Sequence, residues 1–304
     1  MNRNVLILGG SSLLAINWAV ANRDTFDIFI GINRRQIDIN GVKSISIDME
    51  SVDEIKKIIN KINPLFIVNS IGLTNIETCE SNPKLAELTN VKIVSNIAEA
   101  TNYSNKQLIH ISSDHLFQGN QSFLSEDAKA HPLNTYAKTK VEAEKIVLNK
   151  NSHNLIIRTN FYGWGSSYRK SFSDFVIQNL RENQRVYLFK DIYYSPILIK
   201  RLVAFIIELF NKNAIGIFNI VSDDRISKYE FGLMVASEFN LNKELIIPIL
   251  FSDNLNLVER PRDMSLSNKK ISKFINCKIG SVADDLKRLK AEEENGIAQE
   301  LKVL

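Results

Sequence analysis

Short apolar runs alternate with amphipathic stretches along roughly the first half of the chain. The runs at residues 5–8, 26–32, 44–47, 65–68, 107–111 and 155–158 predict strands. Apolar positions three to four residues apart predict helices at 13–22, 52–62, 84–101 and 136–148. The predicted strands are continuously apolar, which is typical of strands buried on both faces of a parallel sheet. Strands that alternate with helices predict an α/β fold with a Rossmann-type, doubly wound parallel sheet.

The second half of the chain has a more mixed pattern. Helices are predicted at 172–181, 197–210 and 228–239, a strand at 215–221, and a charged helical tail with a tendency to fray at 282–304. We therefore predict a Rossmann domain over residues 1–165, to which residues 191–222 return. Residues 166–304 would mainly form a smaller C-terminal α/β domain.

Composition and charge limit the kinds of partner and site that this chain is expected to have. Hydrophobic residues make up 44% of the chain and charged residues 24%, with 38 basic and 34 acidic side chains. A formal charge of +4 is too mild to favour a nucleic acid polymer or a membrane surface as partner. The two cysteines, Cys79 and Cys277, have no metal-ligand spacing, and no metal site is expected. Without a signal-like start or a long apolar stretch, the expected location is cytoplasmic.

A glycine turn joins the first predicted strand to the first predicted helix. Its sequence is Gly9-Gly10-Ser11-Ser12-Leu13-Leu14-Ala15, in which Ser12 and Ala15 replace two glycines of the dinucleotide-binding fingerprint. Small residues let the backbone approach a pyrophosphate, and the Ser12 hydroxyl is expected to donate a hydrogen bond to phosphate. The loop alone is equally typical of a tight turn that binds nothing.

The end of the second predicted strand bears on the choice of cofactor. It reads Asn33-Arg34-Arg35 and has no acid, whereas NAD sites place an acid there for the ribose 2′-hydroxyl. Paired arginines suit the 2′-phosphate of NADP, so NADP(H) is preferred to NAD(H). Asp48 and Met49, after the third strand, are expected to hold the adenine. Two solvated surface arginines are the alternative interpretation.

Ser113, Tyr136 and Lys140 form a candidate catalytic set. Tyr136 and Lys140 are four residues apart near a helix start and so share one face. A nearby ammonium group is expected to lower the tyrosine pKa, which makes Tyr136 a candidate proton donor to a carbonyl group. Ser113 ends a strand and could polarise the same carbonyl. Each residue alone is as well explained by helix packing or strand capping.

Several stretches together resemble the extended short-chain dehydrogenase/reductase superfamily, and specifically the dTDP-4-dehydrorhamnose reductase family. The stretches are Pro-Leu-Phe-Ile-Val-Asn-Ser-Ile-Gly at 64–72, Cys-Glu-Ser-Asn-Pro at 79–83, Ile-Ser-Ser-Asp at 111–114, Pro-Leu-Asn-Thr-Tyr-Ala-Lys-Thr-Lys at 132–140, Arg-Thr-Asn-Phe-Tyr-Gly at 158–163, Ser-Pro at 195–196, Gly-Ile-Phe-Asn at 216–219 and Arg-Pro at 260–261. The resemblance covers about residues 1–275. It implies an NAD(P)-binding core and assigns the catalytic triad to Ser113, Tyr136 and Lys140.

The loop, the end of the second strand and the matching stretches together give the full set of candidate site residues. For the cofactor they are Gly9, Ser11, Ser12, Leu13, Leu14, Asn33, Arg34, Arg35, Asp48, Met49, Ser70, Ile71, Gly72, Tyr136, Lys140 and Phe161. For the substrate they are His115, Trp164, Tyr168, Lys170 and Arg260, as an aromatic group for the base and cations for the diphosphate. A nucleotide sugar is the expected partner, and a homodimer is left open.

Departures from the family pattern separate the possible reactions. His115 replaces a tyrosine, and Gln118 replaces an aspartate. Related 4,6-dehydratases carry an Asp-Glu pair where this chain has Asp114-His115, and epimerases keep a well-formed glycine loop. The favoured function is NADPH-dependent reduction of a keto group, at C4, of a nucleotide-activated deoxy sugar for cell-surface polysaccharide precursors. A non-catalytic, NADP-binding regulatory subunit like that of methionine adenosyltransferase is the alternative; an epimerase or dehydratase is a lesser one.

Overall fold

The computed structural model describes residues 2–33, 35–253 and 256–304. Its strands are β1 Asn4–Leu8, β2 Asp27–Ile32, β3 Lys43–Ser46, β4 Phe66–Asn69, β5 Gln107–Ile111, β6 Leu155–Arg158, β7 Phe161–Tyr162, β8 Val186–Phe189, β9 Tyr193–Tyr194, β10 Ile197–Leu198, β11 Gly216–Asn219, β12 Ile226–Ser227 and β13 Ile246–Ile249. Its helices are α1 Leu13–Asn22, α2 Val52–Ile62, α3 Ile76–Ser81, α4 Pro83–Glu87, α5 Ile93–Tyr103, α6 Thr135–Lys150, α7 Phe172–Arg181, α8 Ile199–Asn211, α9 Lys228–Glu238, α10 Lys269–Ile275, α11 Val282–Glu294 and α12 Ile297–Lys302.

A parallel sheet of seven strands organises the described part of the chain. Its order is β3-β2-β1-β4-β5-β6-β11, and the strand order reverses between β1 and β4. The predicted Rossmann-type α/β fold is confirmed. β11 pairs with β6, Gly216 opposite Leu155, so a strand from the predicted returning segment does join the sheet. The division into domains at residue 165 stays a prediction.

Alternate residues of each central strand enter different apolar layers. Val5 and Ile7 of β1 pack in the layer that includes α1 and α8, whereas Leu6 and Leu8 pack in the layer that includes α2, α5 and α6. Because both faces are covered, polar alternation is absent from these strands, as the sequence pattern predicted. The carboxyl ends of the strands remain the place where loops can form a crevice.

Short strands explain the mixed pattern of the second half. β7, β9, β10 and β12 have two residues each, too few to give a periodic signal. β8 and β13 form a separate parallel pair beside α9. The buried apolar side chains of β8, α9 and β13 belong to the same core as the α1 side of the sheet.

The predicted helix over 84–101 is interrupted in the structure. A π-helical segment, Leu88–Lys92, separates α4 from α5. Asn90 in this segment accepts from the backbone N–H of Leu73 and donates to Thr139 Oγ1, at 2.7 and 3.0 Å. The interruption therefore ties the loop after β4 to α6, the helix that carries Tyr136. π-helical turns inside helices are often found at functional sites.

The C-terminal tail is packed, so the expected fraying is wrong. Leu289 of α11 and Leu301 of α12 are fully buried, and Gly296, at φ +82°, makes the break between the two helices. Arg23 of α1 forms an ion pair with Glu300. In the described ranges, no helix combines the length and apolarity that a membrane span requires.

Replacing Glu292 with Gln is expected to stabilise the protein at high pH. Glu292 lies buried on α11, and burial raises its pKa to about 7, with Lys200 opposing and Asp285 adding to the effect. The stability that this raised pKa contributes is present below the unfolded value of about 4.5 and lost as the pH rises through about 7. Urea unfolding of Glu292→Gln should show a gain of about 1–3 kcal/mol at pH 8 and little near pH 4.5. The exposed Glu294→Gln serves as control, and an equal change in both variants contradicts the prediction.

Candidate active site

A cleft of about 930 Å³ opens where the carboxyl ends of the central strands meet the second half of the chain. It brings together most of the predicted site residues. Those lining it are Gly9, Ser11, Ser12, Leu13, Leu14, Asn33, Arg35, Met49, Ser70, Ile71, Gly72, Ser113, His115, Tyr136, Lys140, Phe161 and Lys170. Cofactor and catalytic candidates thus share one continuous space.

The glycine turn after β1 sits directly on the end of β4. Gly9 has φ +88°, and a Cβ there would lie 2.9 Å from Ile71 N and 3.0 Å from the carbonyl carbon of Ser70. A Cβ on Gly10 would lie 2.9 Å from Ile30 Cβ of β2. A side chain would therefore clash at both positions, which explains why glycine is retained here although the fingerprint is incomplete.

Ser12 has a structural role that differs from the predicted contact with phosphate. Its hydroxyl accepts from Ala15 N at 3.1 Å and so caps α1. Its Oγ also lies 2.9 Å from Ser70 Oγ, which itself donates to the carbonyl of Leu8. Because the single hydroxyl proton of Ser70 is donated to the Leu8 carbonyl, Ser12 is the donor in the hydrogen bond between the two hydroxyls. In this arrangement the Ser12 proton points to Ser70, and a contact between Ser12 and a phosphate stays a prediction.

The first turn of α1 still offers donors to an anion. Among the described residues, the backbone N–H groups of Ser11, Leu13 and Leu14 have no hydrogen-bond partner. They line the cleft at the N-terminus of a ten-residue helix. A helix N-terminus with unpaired N–H groups favours negative charge, and the glycine turn lets a pyrophosphate come close. The residues present therefore fit the diphosphate of a dinucleotide.

Cations gather at the β2 end of the cleft. The Arg35 guanidinium lies 4.1 Å from the centre of the Tyr168 ring, and Arg169 and Lys170 line the same space. Arg34 lies outside the described residues. Tyr168, predicted as a substrate residue, is thus beside the predicted 2′-phosphate position. Arg169 was missed by the sequence analysis, because only the fold brings residue 169 next to residue 35.

Hydrogen bonds to one carboxylate hold the segment 163–171 across the cleft. Asp174 Oδ2 accepts from Gly165 N at 2.7 Å and from Ser171 N at 2.9 Å. Ser171 Oγ in turn donates to Gly163 O at 2.5 Å. The loop that carries Arg169 and Lys170 is therefore held in place by these hydrogen bonds.

Of the two residues expected to hold an adenine, only Met49 faces the cleft. Met49 is buried and lines it. Asp48 is exposed, does not line the cleft, and accepts from Glu50 N at 2.9 Å in a local turn. The structure therefore supports a role for Met49 and gives Asp48 a turn-forming one.

β5 and α6 place the three catalytic candidates. Ser113 follows the end of β5, and Asn134 caps α6 by accepting from Ala137 N at 2.9 Å. The cap starts the helix immediately before Tyr136, so Tyr136 and Lys140 lie on one face, one turn apart. Lys140 Nζ donates to the carbonyl of Ile111 at 2.7 Å.

Burial sets the protonation of this set. It raises the pKa of Tyr136; a hydrogen bond with Ser113 opposes this, and Asp114 and Cys79 add to it. The predicted lowering is therefore wrong, and Tyr136 is a phenol at neutral pH. Burial also lowers the pKa of Lys140 to about 8, against the opposing charge of Glu144. A protonated tyrosine is the form that can give a proton to a carbonyl oxygen.

His115 stands beside Tyr136 and is oriented by Asp114. His115 Nδ1 lies 2.8 Å from Asp114 Oδ1, and the other carboxylate oxygen accepts from Asn160 Nδ2 at 2.7 Å. The His115 ring meets the Tyr136 ring edge-on, with 5.8 Å between centroids. Asn160, which lines the cleft, was not identified from the sequence, although it lies inside a matching stretch.

A buried ion pair between Arg158 and Glu144 holds α6 against the sheet. Arg158 Nη2 lies 2.7 Å from Glu144 Oε2, and Ser112 Oγ donates to Glu144 Oε1 at 2.5 Å. These residues join α6 to the ends of β5 and β6. The pair fixes the helix that carries Tyr136 and Lys140.

Trp164 and Arg260 do not line the cleft. Trp164 is buried, and its Nε1 donates to the carbonyl of Leu289 at 2.9 Å, which anchors the C-terminal tail. Arg260 pairs with Glu77 and donates to the carbonyl of Val258. Both are placed as structural residues, because their polar groups already have partners in the protein.

The chain matches the family described as the RmlD substrate binding domain over residues 3–294. Among similar proteins, a probable low-salt glycan biosynthesis reductase of Haloferax volcanii is 24% identical over 81% of this chain and 83% of its own length. A dTDP-4-dehydrorhamnose reductase of Escherichia coli is 28% identical over 63% of this chain; that match spans 65% of the enzyme, slightly less than two thirds. Methionine adenosyltransferase 2 subunit beta of Xenopus laevis is 26% identical over 72% of this chain and 68% of its length.

Solved structures agree with the fold. A dTDP-4-dehydrorhamnose reductase from Bacillus anthracis, solved with NADP, superimposes with a TM-score of 0.85, at 21% identity over 96% of this chain and all of that one. WbmG of Bordetella bronchiseptica, solved with NAD, has a TM-score of 0.81, at 14% identity over all of this chain and 97% of that one. At these identities the likeness concerns the fold.

Proposed function

Since the chain belongs to the family of the RmlD substrate binding domain, we propose that it reduces a keto group of a nucleotide-activated sugar with a nicotinamide cofactor. The observation that carries this proposal is the phenol of Tyr136, placed with Ser113 and Lys140 in the cleft that also contains the glycine turn. The similar E. coli and B. anthracis proteins are named dTDP-4-dehydrorhamnose reductases. We infer a deoxy-hexulose nucleotide reduced at C4, in cell-surface polysaccharide precursor synthesis.

Each catalytic residue would have one task. When bound, NADPH would supply the hydride that reduces the carbonyl carbon. Tyr136 gives its proton to the oxygen, Ser113 orients that oxygen by a hydrogen bond, and Lys140 assists Tyr136. The backbone N–H groups of Ser11, Leu13 and Leu14 would hold the cofactor diphosphate.

The substrate end of the cleft carries His115 and Asn160. His115 is held by Asp114 through Nδ1, which leaves Nε2 for a hydroxyl of the sugar. An elimination reaction would need two carboxylates at 114 and 115, and the second is absent from this sequence. The missing carboxylate favours a reductase over a dehydratase. A cytoplasmic location and a homodimer stay predictions.

The regulatory-subunit alternative has one observation in its favour. Methionine adenosyltransferase 2 subunit beta is about as similar in sequence as the reductases are. The Ser113, Tyr136 and Lys140 set and the 930 Å³ cleft favour an enzyme, since binding alone requires no proton donor. Turnover of a 4-keto deoxy-sugar nucleotide with NADPH decides between the two, and its absence together with a stable protein partner supports the subunit.

NADPH is expected to bind more tightly than NADH, because Arg35, Arg169 and Lys170 surround the predicted 2′-phosphate position. Nucleotide fluorescence titration should show that Arg35→Ala weakens NADPH about tenfold and leaves NADH unchanged, since a charge-assisted hydrogen bond contributes about 1.5–3 kcal/mol. The exposed Arg185→Ala is the matched control. Equal affinities of the wild type for both nucleotides would contradict the NADP preference.

A further inference from the structure

Two buried polar side chains, Asn69 and His110, form a row that ends at the catalytic candidate Lys140. Asn69 ends β4 and is the register partner of His110 on β5, while Lys140 approaches from α6. Asn69 Nδ2 lies 3.1 Å from His110 Nδ1, and His110 Nε2 lies 3.5 Å from Lys140 Nζ. Asn69 and His110 are fully buried. Burial of two polar groups next to Lys140 requires an explanation beyond packing.

The hydrogen bonds fix where the histidine carries its proton. Asn69 Oδ1 accepts from Ile71 N at 3.0 Å, so the amide nitrogen must face His110. An amide nitrogen only donates, so His110 Nδ1 must accept. The neutral ring then carries its proton on Nε2, which is the nitrogen facing Lys140.

A second proton on His110 is strongly disfavoured. It would place an N–H against the donor of Asn69 on one side and a cation beside Lys140 on the other. Burial first, and the charge of Lys140 second, lower the pKa of His110 well below its ordinary value. His110 is therefore a neutral Nε2–H donor at neutral pH.

We propose that Asn69 and His110 are positioning residues that favour the neutral amine of Lys140 over its ammonium form. A neutral amine accepts the Nε2–H hydrogen bond with its lone pair, whereas an ammonium group has only N–H groups to offer it. The carbonyl of Ile111, at 2.7 Å, keeps the nitrogen in place in either form. Among the described residues, the charge that acts on the pKa of Lys140 is that of Glu144, one turn along α6, and it acts in the opposite direction.

This arrangement has a consequence for proton supply, which rests on the proposed function. When Tyr136 gives its proton to the substrate oxygen, the resulting phenolate takes a proton from the Lys140 ammonium. The amine left behind receives the hydrogen bond of His110 and later regains a proton from water. By stabilising the amine, His110 makes Lys140 a better proton donor near neutral pH.

The first test uses the full-length wild-type protein labelled with ¹⁵N-histidine. Two-bond ¹H–¹⁵N correlation should show His110 as the Nε2–H tautomer, unchanged from pH 6 to 9. Each of the four histidines is assigned by single replacement. A Nδ1–H tautomer, or titration of His110 within this range, overturns the proposal whether or not the protein is a reductase.

The second test measures the Lys140 amine directly, without cofactor or substrate. Cyanate labelling of wild type from pH 6 to 10.5, followed by mass spectrometry, should give half-maximal reactivity at about pH 8. His110→Phe keeps a ring and removes the N–H, so the midpoint should rise by about one unit and the rate at pH 8 should fall about fivefold. His153→Phe, at an exposed position, is the control. An unchanged midpoint in folded His110→Phe overturns the proposal, and the tautomer measurement decides if that variant does not fold.

Turnover separates this inference from the proposed function. If wild type reduces a keto-sugar nucleotide, His110→Phe should shift the kcat–pH profile upward by the same unit and leave the Kd for NADPH unchanged. If wild type has no turnover, the proposed function fails, while the tautomer and labelling results still test the role of His110. A kcat–pH profile that does not move in an active variant counts against the proposal.

Discussion

Replacing Tyr136 with Phe is expected to lower kcat for a keto-sugar nucleotide by about 10²–10⁴-fold, the usual contribution of a general acid. The ring and its packing remain, and only the buried hydroxyl that keeps its proton at neutral pH is removed. Steady-state assays with NADPH measure the loss of kcat. Titration of the same variant should give a Kd for NADPH within about twofold of wild type, since the proposed diphosphate contacts lie on the glycine turn.

The control for this prediction is Tyr187→Phe, which removes an exposed hydroxyl from β8. It should leave kcat and the Kd unchanged. Turnover that survives in Tyr136→Phe would remove the proposed acid from the mechanism. Loss of NADPH binding in the same variant would mean that Tyr136 positions the cofactor instead.

Replacing Glu144 with Ala is expected to cost about 3–5 kcal/mol of unfolding free energy, because it leaves the Arg158 cation buried without its partner. Both side chains are only 6% exposed. Urea unfolding measures the cost, and Glu142→Ala on the same helix is the control. In the described ranges the ion pair of Glu142 is an exposed one with Lys145, at 3.8 Å, and its loss should cost under about 1 kcal/mol.

A double replacement separates the charge effect from the packing effect. Glu144→Leu with Arg158→Met removes both charges, so the double variant should be more stable than either single one. Equal costs for Glu144→Ala and Glu142→Ala would show that the buried pair contributes no more than a surface contact. In that case α6 would be held by its apolar face alone.

Much of the fold could be predicted from the sequence, because its longer helices and strands show a regular spacing of apolar residues along the chain. The bounds of α1, α2, α7, β5 and β6 agree with the prediction to the residue. The errors occur where a few side-chain bonds override periodicity, as at Asn90, where a predicted single helix contains a π-helical turn. The two-residue strands were missed because two residues cannot show a period.

Some residues of the candidate site could be predicted from the sequence and others could not. Tyr136 and Lys140 could be paired from the sequence, since a four-residue spacing on one helix fixes their face. Tyr168 and Trp164 could not be placed, because one lies on Arg35 and the other under the C-terminal tail. Both contacts join residues more than a hundred positions apart, which no local pattern encodes.

The sequence by itself determined the family resemblance, the order of the longer strands and helices, and the candidate catalytic set. Only the tertiary structure decided their chemistry. It made Ser12 a donor to Ser70, raised the pKa of Tyr136 where a lowering was expected, and placed His110 against Lys140. The physical reason is that a protonation state depends on burial and on the partners across the sheet, and these are set only when distant strands and helices pack together.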